Sequence, residues 1–251
     1  MQWIFAALAV APLTLQAQTP PPPPVNRLLL SAGHDRLGNG YAAWNDASLS
    51  YSRQWERREL AEVTLMRADR FGVSDTQAEA AYTRPLGPLL TGSAQLSFSP
   101  AHHFLPRNSV GAALQYEFSP AWLLHGRLRQ IRYAAASVEQ ATLMLEPYVG
   151  DYSGSLAWRP VRALGAYASS FELRGNRYYG QDSYIGLIAS VGREPTQVHA
   201  DAIELAGVRV LALVGRHRIA PGWSAVHSLS RTRQGGFYTR TGASAGVQHD
   251  F

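Results

Sequence analysis

Histidine has the widest chemical range of any residue type in this sequence, and eight are present. His102 and His103 are adjacent and follow Pro100. Adjacent side chains on an extended chain point in opposite directions, so this pair would need a third ligand to chelate a metal. We therefore expect an exposed loop here. Cysteine is absent, which excludes thiolate ligands and disulfides, and we predict neither a metal nor a cofactor.

A serine nucleophile would need a histidine within reach, and His227 with Ser228 is the obvious candidate pair. Trp223 and Leu229 share the parity of His227 in an alternating segment, so Ser228 points the other way. A serine and a histidine from two different strands could still form such a pair, and this alternative remains open. The sequence also lacks the G-x-S-x-G, H-E-x-x-H, P-loop and G-x-G-x-x-G motifs. We predict a non-enzymatic protein, with an enzyme acting on lipid or glycan (a hydrolase or acyltransferase) as the alternative.

Glutamate and arginine side chains occupy alternate positions opposite apolar ones, which places them together on one face of extended segments. Mixed signs on neighbouring strands attract each other, whereas surplus arginine along an aqueous path would attract anions. Among the candidate interior residues we rank Arg127 and Arg129 first, because they lie two residues apart on the same face of one strand. The candidate residues are Glu62, Glu79, Glu117, Glu172, Arg70, Arg127, Arg129, Arg174, Arg209 and Arg240.

The elements that would position these residues are segments of about ten residues with alternating polarity. Such segments predict strands of a closed antiparallel transmembrane β-barrel, in which lipid-facing and interior side chains alternate. The low charged fraction of 16% fits this class. In the segment 203–216 we expect the apolar set to face lipid and Arg209 to face inward. The apolar set there is Ala206, Val208, Val210, Ala212 and Val214.

The clearest strand is 109–118, followed by a turn at 119–121 and another strand at 122–133. Tyr116 and Trp122 flank that turn, as expected for an aromatic girdle at a membrane interface. Counting such segments predicts about 14 strands in an up-and-down, all-β barrel, or 12 if 152–165 does not pair. Longer connections are expected at 99–108 and 193–202.

The beginning of the chain predicts export. Residues 3–15 are apolar and precede a small-residue cleavage context, so residues 1–17 resemble a signal peptide. Five consecutive prolines mark residues 18–25 as a stiff spacer. The barrel is then expected over 26–251, ending on Phe251. We interpret this terminal aromatic as the signal that the barrel-assembly machinery recognises.

Several short motifs, in this order and spacing, resemble the YaiO-type outer-membrane β-barrel family over nearly all of residues 28–251. The resemblance implies an outer-membrane barrel, says little about activity, and hints at envelope or exopolysaccharide contexts. The motifs are Ala68-Asp69-Arg70-Phe71-Gly72, Asp75-Thr76-Gln77, Phe104-Leu105-Pro106-Arg107, and Arg177-Tyr178-Tyr179-Gly180 followed by Asp182 and Tyr184.

The functional expectation is therefore a narrow channel or a structural envelope component in the bacterial outer membrane, with a link to surface polysaccharide export as a further expectation. We favour a filled or narrow interior, because charges of mixed sign attract across neighbouring strands. Expected partners are outer-membrane lipid, the barrel-assembly machinery, and an anionic solute or polysaccharide. Nucleic acid is not expected although the net charge is +5, because the arginines are spread along the chain and form no cluster.

Overall fold

The computed structural model describes residues 25–200 and 202–251, which form one closed antiparallel barrel. Each strand pairs with its neighbours in sequence, and the first strand pairs with the last to close the wall. The strands are β1 (Val25–Leu37), β2 (Trp44–Glu56), β3 (Glu59–Arg70), β4 (Val73–Pro85), β5 (Leu90–Phe98), β6 (Asn108–Ser119), β7 (Trp122–Arg132), β8 (Ser137–Val149), β9 (Tyr152–Ala163), β10 (Ala166–Tyr179), β11 (Ser183–Gln197), β12 (Ile203–Ala220), β13 (Trp223–Gln234) and β14 (Tyr238–Asp250).

The predicted count of 14 strands is confirmed. Segment 152–165 does form a strand and a turn, because β9 pairs with β10 from Ala163 opposite Ala166 to Tyr152 opposite Arg177. The 12-strand alternative is therefore wrong. In the part of the chain that is described, no helix is long and apolar enough to cross a membrane.

Side chains alternate between an outer face and an interior face along each strand. In β6, Val110 and Leu114 are 59% and 52% exposed and point outward, while Ser109 is buried inside. Large exposed apolar residues share the outward parity on neighbouring strands, and most interior residues are polar and at least half-buried. An apolar exterior around a polar interior is the arrangement of barrels that sit in lipid.

Strand β12 corrects one prediction, because its two faces are the reverse of those expected. Ala206 and Val208 are buried inside, whereas Arg209 is exposed on the outer face. Arg209 is paired with Val191, itself 55% exposed on the outer face of β11. Both faces of β12 are largely apolar, so the alternation within β12 does not indicate which face points into the barrel. The pairing register with the neighbouring strands determines it.

The two ends of the barrel differ. At the end that holds Val25 and Phe251, called the terminus end, strands are joined by tight turns such as 120–121, 150–151 and 221–222. At the opposite end, called the loop end, the longer connections are 38–43, 99–107 and 198–202. The predicted connection at 193–202 is shorter than expected, because β11 continues to Gln197.

The predicted signal peptide, residues 1–17, and most of the predicted spacer lie outside the described residues. Strand β1 begins at Val25, the last residue of that spacer. At the other end of the chain, Phe251 and Asn26 exchange backbone hydrogen bonds of 2.9 Å across the β1–β14 seam. The last residue thus contributes to closing the wall.

Candidate functional site

The interior of the barrel collects nine of the ten predicted charged residues. All except Arg209 have interior parity on their strands. The nine are Glu62, Glu79, Glu117, Glu172, Arg70, Arg127, Arg129, Arg174 and Arg240. Arg209 was wrongly assigned to this set, for the reason given for β12.

Opposite charges pair inside the wall. Arg159 on β9 donates to both oxygens of Glu172 on β10, at 2.6 and 2.9 Å. Arg129 on β7 lies 3.7 Å from the Glu79 carboxylate on β4, although β5 and β6 separate these two strands in the wall. A contact between non-neighbouring strands must cross part of the interior. The Arg129–Glu79 pair therefore fills part of the interior on this side of the barrel.

Arg127 differs from its neighbours. It has interior parity, between Leu123 and Ile131, which are both buried inside, yet its side chain is exposed. Exposure on the inner face means that solvent reaches this position within the barrel. Among the described residues, no carboxylate lies within ion-pair distance of Arg127. Arg127 is thus a solvent-accessible cation on the inner face of the wall.

The loop end of the interior is closed by residues 99–107, which we call the mouth plug. Phe104 and Leu105 are buried and contact Ala68 and other side chains of β3 and β4. Asp75 on β4 holds the plug, since its fully buried carboxylate accepts hydrogen bonds from the backbone N–H groups of His103, Phe104 and Leu105 at 3.1, 2.8 and 2.8 Å. A carboxylate that accepts several backbone donors makes strong charge-assisted bonds.

Arginine and aromatic side chains extend this closure. The Arg70 guanidinium lies 4.7 Å from the ring centroid of Trp44 and 5.2 Å from that of Phe104. Arg240 approaches the other side of the cluster, 5.6 Å from the Trp44 ring and 3.5 Å from the Asp35 carboxylate. Such cation–π contacts are strongest where water is excluded. They hold two buried arginines in place at the mouth.

A hydrogen-bonded bridge crosses the mouth. The Gln197 side chain on β11 donates to the Phe104 carbonyl at 2.6 Å, and the Tyr238 hydroxyl on β14 donates to the Gln197 carbonyl at 2.9 Å. Nearby, Tyr133 in the connection 133–136 packs against Ile131, and burial raises the pKa of its phenol, so the phenol stays neutral. The Gln197 bridge and the neutral Tyr133 phenol thus add to the closure that the mouth plug and its charged partners form at the loop end.

The histidines do not form the arrangement that would favour the enzyme alternative. His103 Nδ1 lies 2.7 Å from Asp75, and His125 Nε2 lies 2.9 Å from Glu146. Within residues 25–200 and 202–251, we find no serine or threonine hydroxyl bonded to a histidine, nor any metal-binding group of three or more His and acidic residues. Ser228 bonds instead to the Ser244 hydroxyl at 2.7 Å, inside the barrel.

The sequence analysis missed several residues that build this site. Trp44 and Asp35 lie in strands whose alternation was not analysed, and Asp75 was noted only as part of a family motif. Arg159 lies in a segment, 158–166, whose Pro and Arg content obscured the strand. The sequence nevertheless held a signal for Arg159, because it lies between the apolar residues Trp158 and Pro160.

Comparisons with known proteins agree with this architecture. A family model described as the YaiO membrane beta barrel domain matches residues 25–197. A search of curated proteins found no significant match. Among solved structures, one described as a bacterial polysaccharide outer membrane secretin is similar, with a TM-score of 0.57, 9% identity, and coverage of 91% of this chain and 98% of that chain.

Two further structures share the fold. The Acinetobacter baumannii outer membrane protein Omp33 gives a TM-score of 0.55 at 8% identity, covering 90% of this chain and 99% of that chain. The KdgM porin in complex with disordered oligogalacturonate gives 0.50 at 11% identity, covering 89% and 99%. At these identities the likeness concerns the fold.

Proposed function

The chain belongs to the YaiO membrane β-barrel family and is a bacterial outer-membrane protein, and we propose that it is a narrow, non-enzymatic channel for anionic solutes. The observation that carries this proposal is Arg127, an exposed guanidinium on the interior face. A barrel filled throughout would bury this side chain or pair it. An accessible cation at a narrow level is what selects anions in aqueous pores.

The surrounding charges support a selective passage. Arg129 and Arg159 lie on the same side of the interior as Arg127, on β7 and β9, while Glu79 faces them from β4. The guanidiniums of Arg129 and Arg159 are tied to Glu79 and Glu172. The charges of Arg129 and Arg159 are partly neutralised, so Arg127 carries the least compensated charge of these three arginines.

Carboxylated or phosphorylated oligosaccharides are the solute class that we propose to test first. Two barrels of the same fold are described with a saccharide, one as a polysaccharide secretin and one with bound oligogalacturonate. These descriptions belong to those proteins and guide only the choice of solute. A role in surface polysaccharide export would use the same passage.

A structural envelope component is the second candidate, and the mouth plug favours it. With the loop end closed by residues 99–107, passage requires this segment to move. Outer-membrane lipid, which would contact the exposed apolar exterior, and the assembly machinery, which would bind near Phe251, are the proposed partners in either case.

Conductance of the purified full chain in planar bilayers separates these candidates. A channel gives discrete current steps, with a reversal potential that favours anions. Arg127→Glu should move that potential toward cations, while Arg84→Glu, on the outer face of β4, should leave it unchanged. The absence of current steps from the wild type and from a variant with a loosened mouth plug would exclude the channel and leave the structural role.

A further inference from the structure

The outer wall carries a basic patch near the loop end, formed by Arg193, Arg209, Arg231 and Arg233, which we call the outer arginine patch. All four side chains are exposed and have outward parity on β11, β12 and β13. Arg209 is paired directly with Arg233, and Arg231 is two residues from Arg233 on the same face. Directly opposed residues have Cβ atoms about 5 Å apart, so these guanidiniums are close neighbours.

Among the described residues, no acidic side chain forms an ion pair with these four arginines. On the described outer faces of β11 to β14 there is no carboxylate, and Glu204, the nearest acidic residue on β12, has interior parity. Two other outward arginines at the loop end do have partners: Arg67 lies 3.6 Å from Asp69, and Arg162 lies 3.8 Å from Glu139. Like charges directly opposite destabilise a sheet, so the outer arginine patch favours an anion from outside the chain.

The height of the patch on the wall identifies the kind of anion. Below it the outer face is apolar, with Leu211 and Leu229 55% and 54% exposed. Along β13, Arg231 and Arg233 follow the aromatic Trp223 of the terminus end by eight and ten residues. At a rise of about 3.3 Å per residue and a tilt of about 40°, this places the guanidiniums about 20 to 25 Å above that aromatic side chain.

This distance equals the height of the apolar band of an outer-membrane barrel, about 25 Å, so the outer arginine patch lies at the outer lipid–water interface. We propose that it binds the phosphate groups of a phosphorylated glycolipid in the outer leaflet. The planar guanidinium forms paired hydrogen bonds with phosphate oxygens, and several adjacent guanidiniums can bind more than one phosphate group. The patch thus fixes one sector of the wall, β11 to β13, to specific lipid headgroups. This site is independent of any passage through the interior.

The test uses the purified full chain in phosphatidylcholine nanodiscs that contain diphosphoryl lipid A, its monophosphoryl form or phosphatidylglycerol. Bound lipid is counted by native mass spectrometry. We expect selective retention of diphosphoryl lipid A, and an apparent Kd at least tenfold weaker in Arg209→Gln/Arg233→Gln. The matched control is Arg84→Gln/Arg177→Gln, which removes two outward arginines at the terminus end and should bind as the wild type does.

Equal binding by the patch variant and the control would overturn the proposal. Equal retention of phosphatidylglycerol would also overturn it, since surface charge alone would then account for binding. Heat-modifiable mobility on gels reports whether each variant is folded. If the Gln variant does not fold, Arg209→Lys/Arg233→Lys keeps the charge but removes the planar guanidiniums that form paired hydrogen bonds. This variant should bind diphosphoryl lipid A at least threefold more weakly than the wild type. An unchanged affinity would contradict the proposal.

Discussion

Replacing Asp75 with alanine should release the mouth plug. The substitution removes the acceptor of two fully buried backbone donors, the N–H groups of Phe104 and Leu105, each at 2.8 Å. A buried donor left without a partner costs about 1 to 3 kcal/mol, so the docked state loses about 2 to 6 kcal/mol. At about 1.4 kcal/mol per tenfold change, the equilibrium shifts about 30- to about 20,000-fold toward an undocked segment, in which water satisfies both donors.

Two measurements detect this release in Asp75→Ala. Chymotrypsin should cleave after Phe104, which is 1% exposed in the docked state, and single-channel recordings should show longer open times or larger current steps. Asp151→Ala, in the turn at the terminus end, is the matched control and should behave as the wild type. If Asp75→Ala resists cleavage and conducts as the wild type does, the carboxylate is not what holds the mouth plug, and our argument from its hydrogen bonds fails.

Two further substitutions test the paired interior. Glu172→Gln removes the carboxylate that pairs with the largely buried Arg159, which should destabilise the barrel by about 3 to 5 kcal/mol in urea titrations in detergent. The double variant with Arg159→Gln should recover part of the loss. Gly242→Ala would place a methyl group against the Asp35 carboxylate and displace it from its arginine, lowering the unfolding free energy by about 1 to 3 kcal/mol. Gly175→Ala, where an added methyl group meets open space, should leave stability within about 0.5 kcal/mol of the wild type, and an equal loss in both glycine variants would contradict this account.

The fold could be predicted from the sequence because alternation is a local property. In β6 the outer positions are apolar and the interior ones are small or polar, so strand, face and the following turn could be predicted from residue types alone. In β12 both faces are apolar, and the register with β11 determines which face points inward. Register depends on residues distant in sequence, which explains why Arg209 was placed on the wrong side.

The candidate site could be predicted only in part. Interior parity identified Arg127 and Glu79, but not that Arg129 reaches Glu79 across two intervening strands, because that contact depends on the cross-section of the barrel. The mouth plug was likewise expected to be an exposed loop. Its docking depends on Asp75, one buried carboxylate whose partners lie about thirty positions away in the chain. Nothing in the local pattern of β4 distinguishes that carboxylate from an ordinary interior one.

The bridge across the mouth also bears on how this barrel assembles. Phe104 and Gln197 are 93 positions apart, and their hydrogen bond joins the two halves of the polypeptide through the inside of the cylinder. A sheet that is still open and only gently curved would hold these two residues far apart. This hydrogen bond therefore forms when the sheet closes into a barrel. A spectroscopic probe at Phe104 would report the time of barrel closure without a change to the β1–β14 pairing.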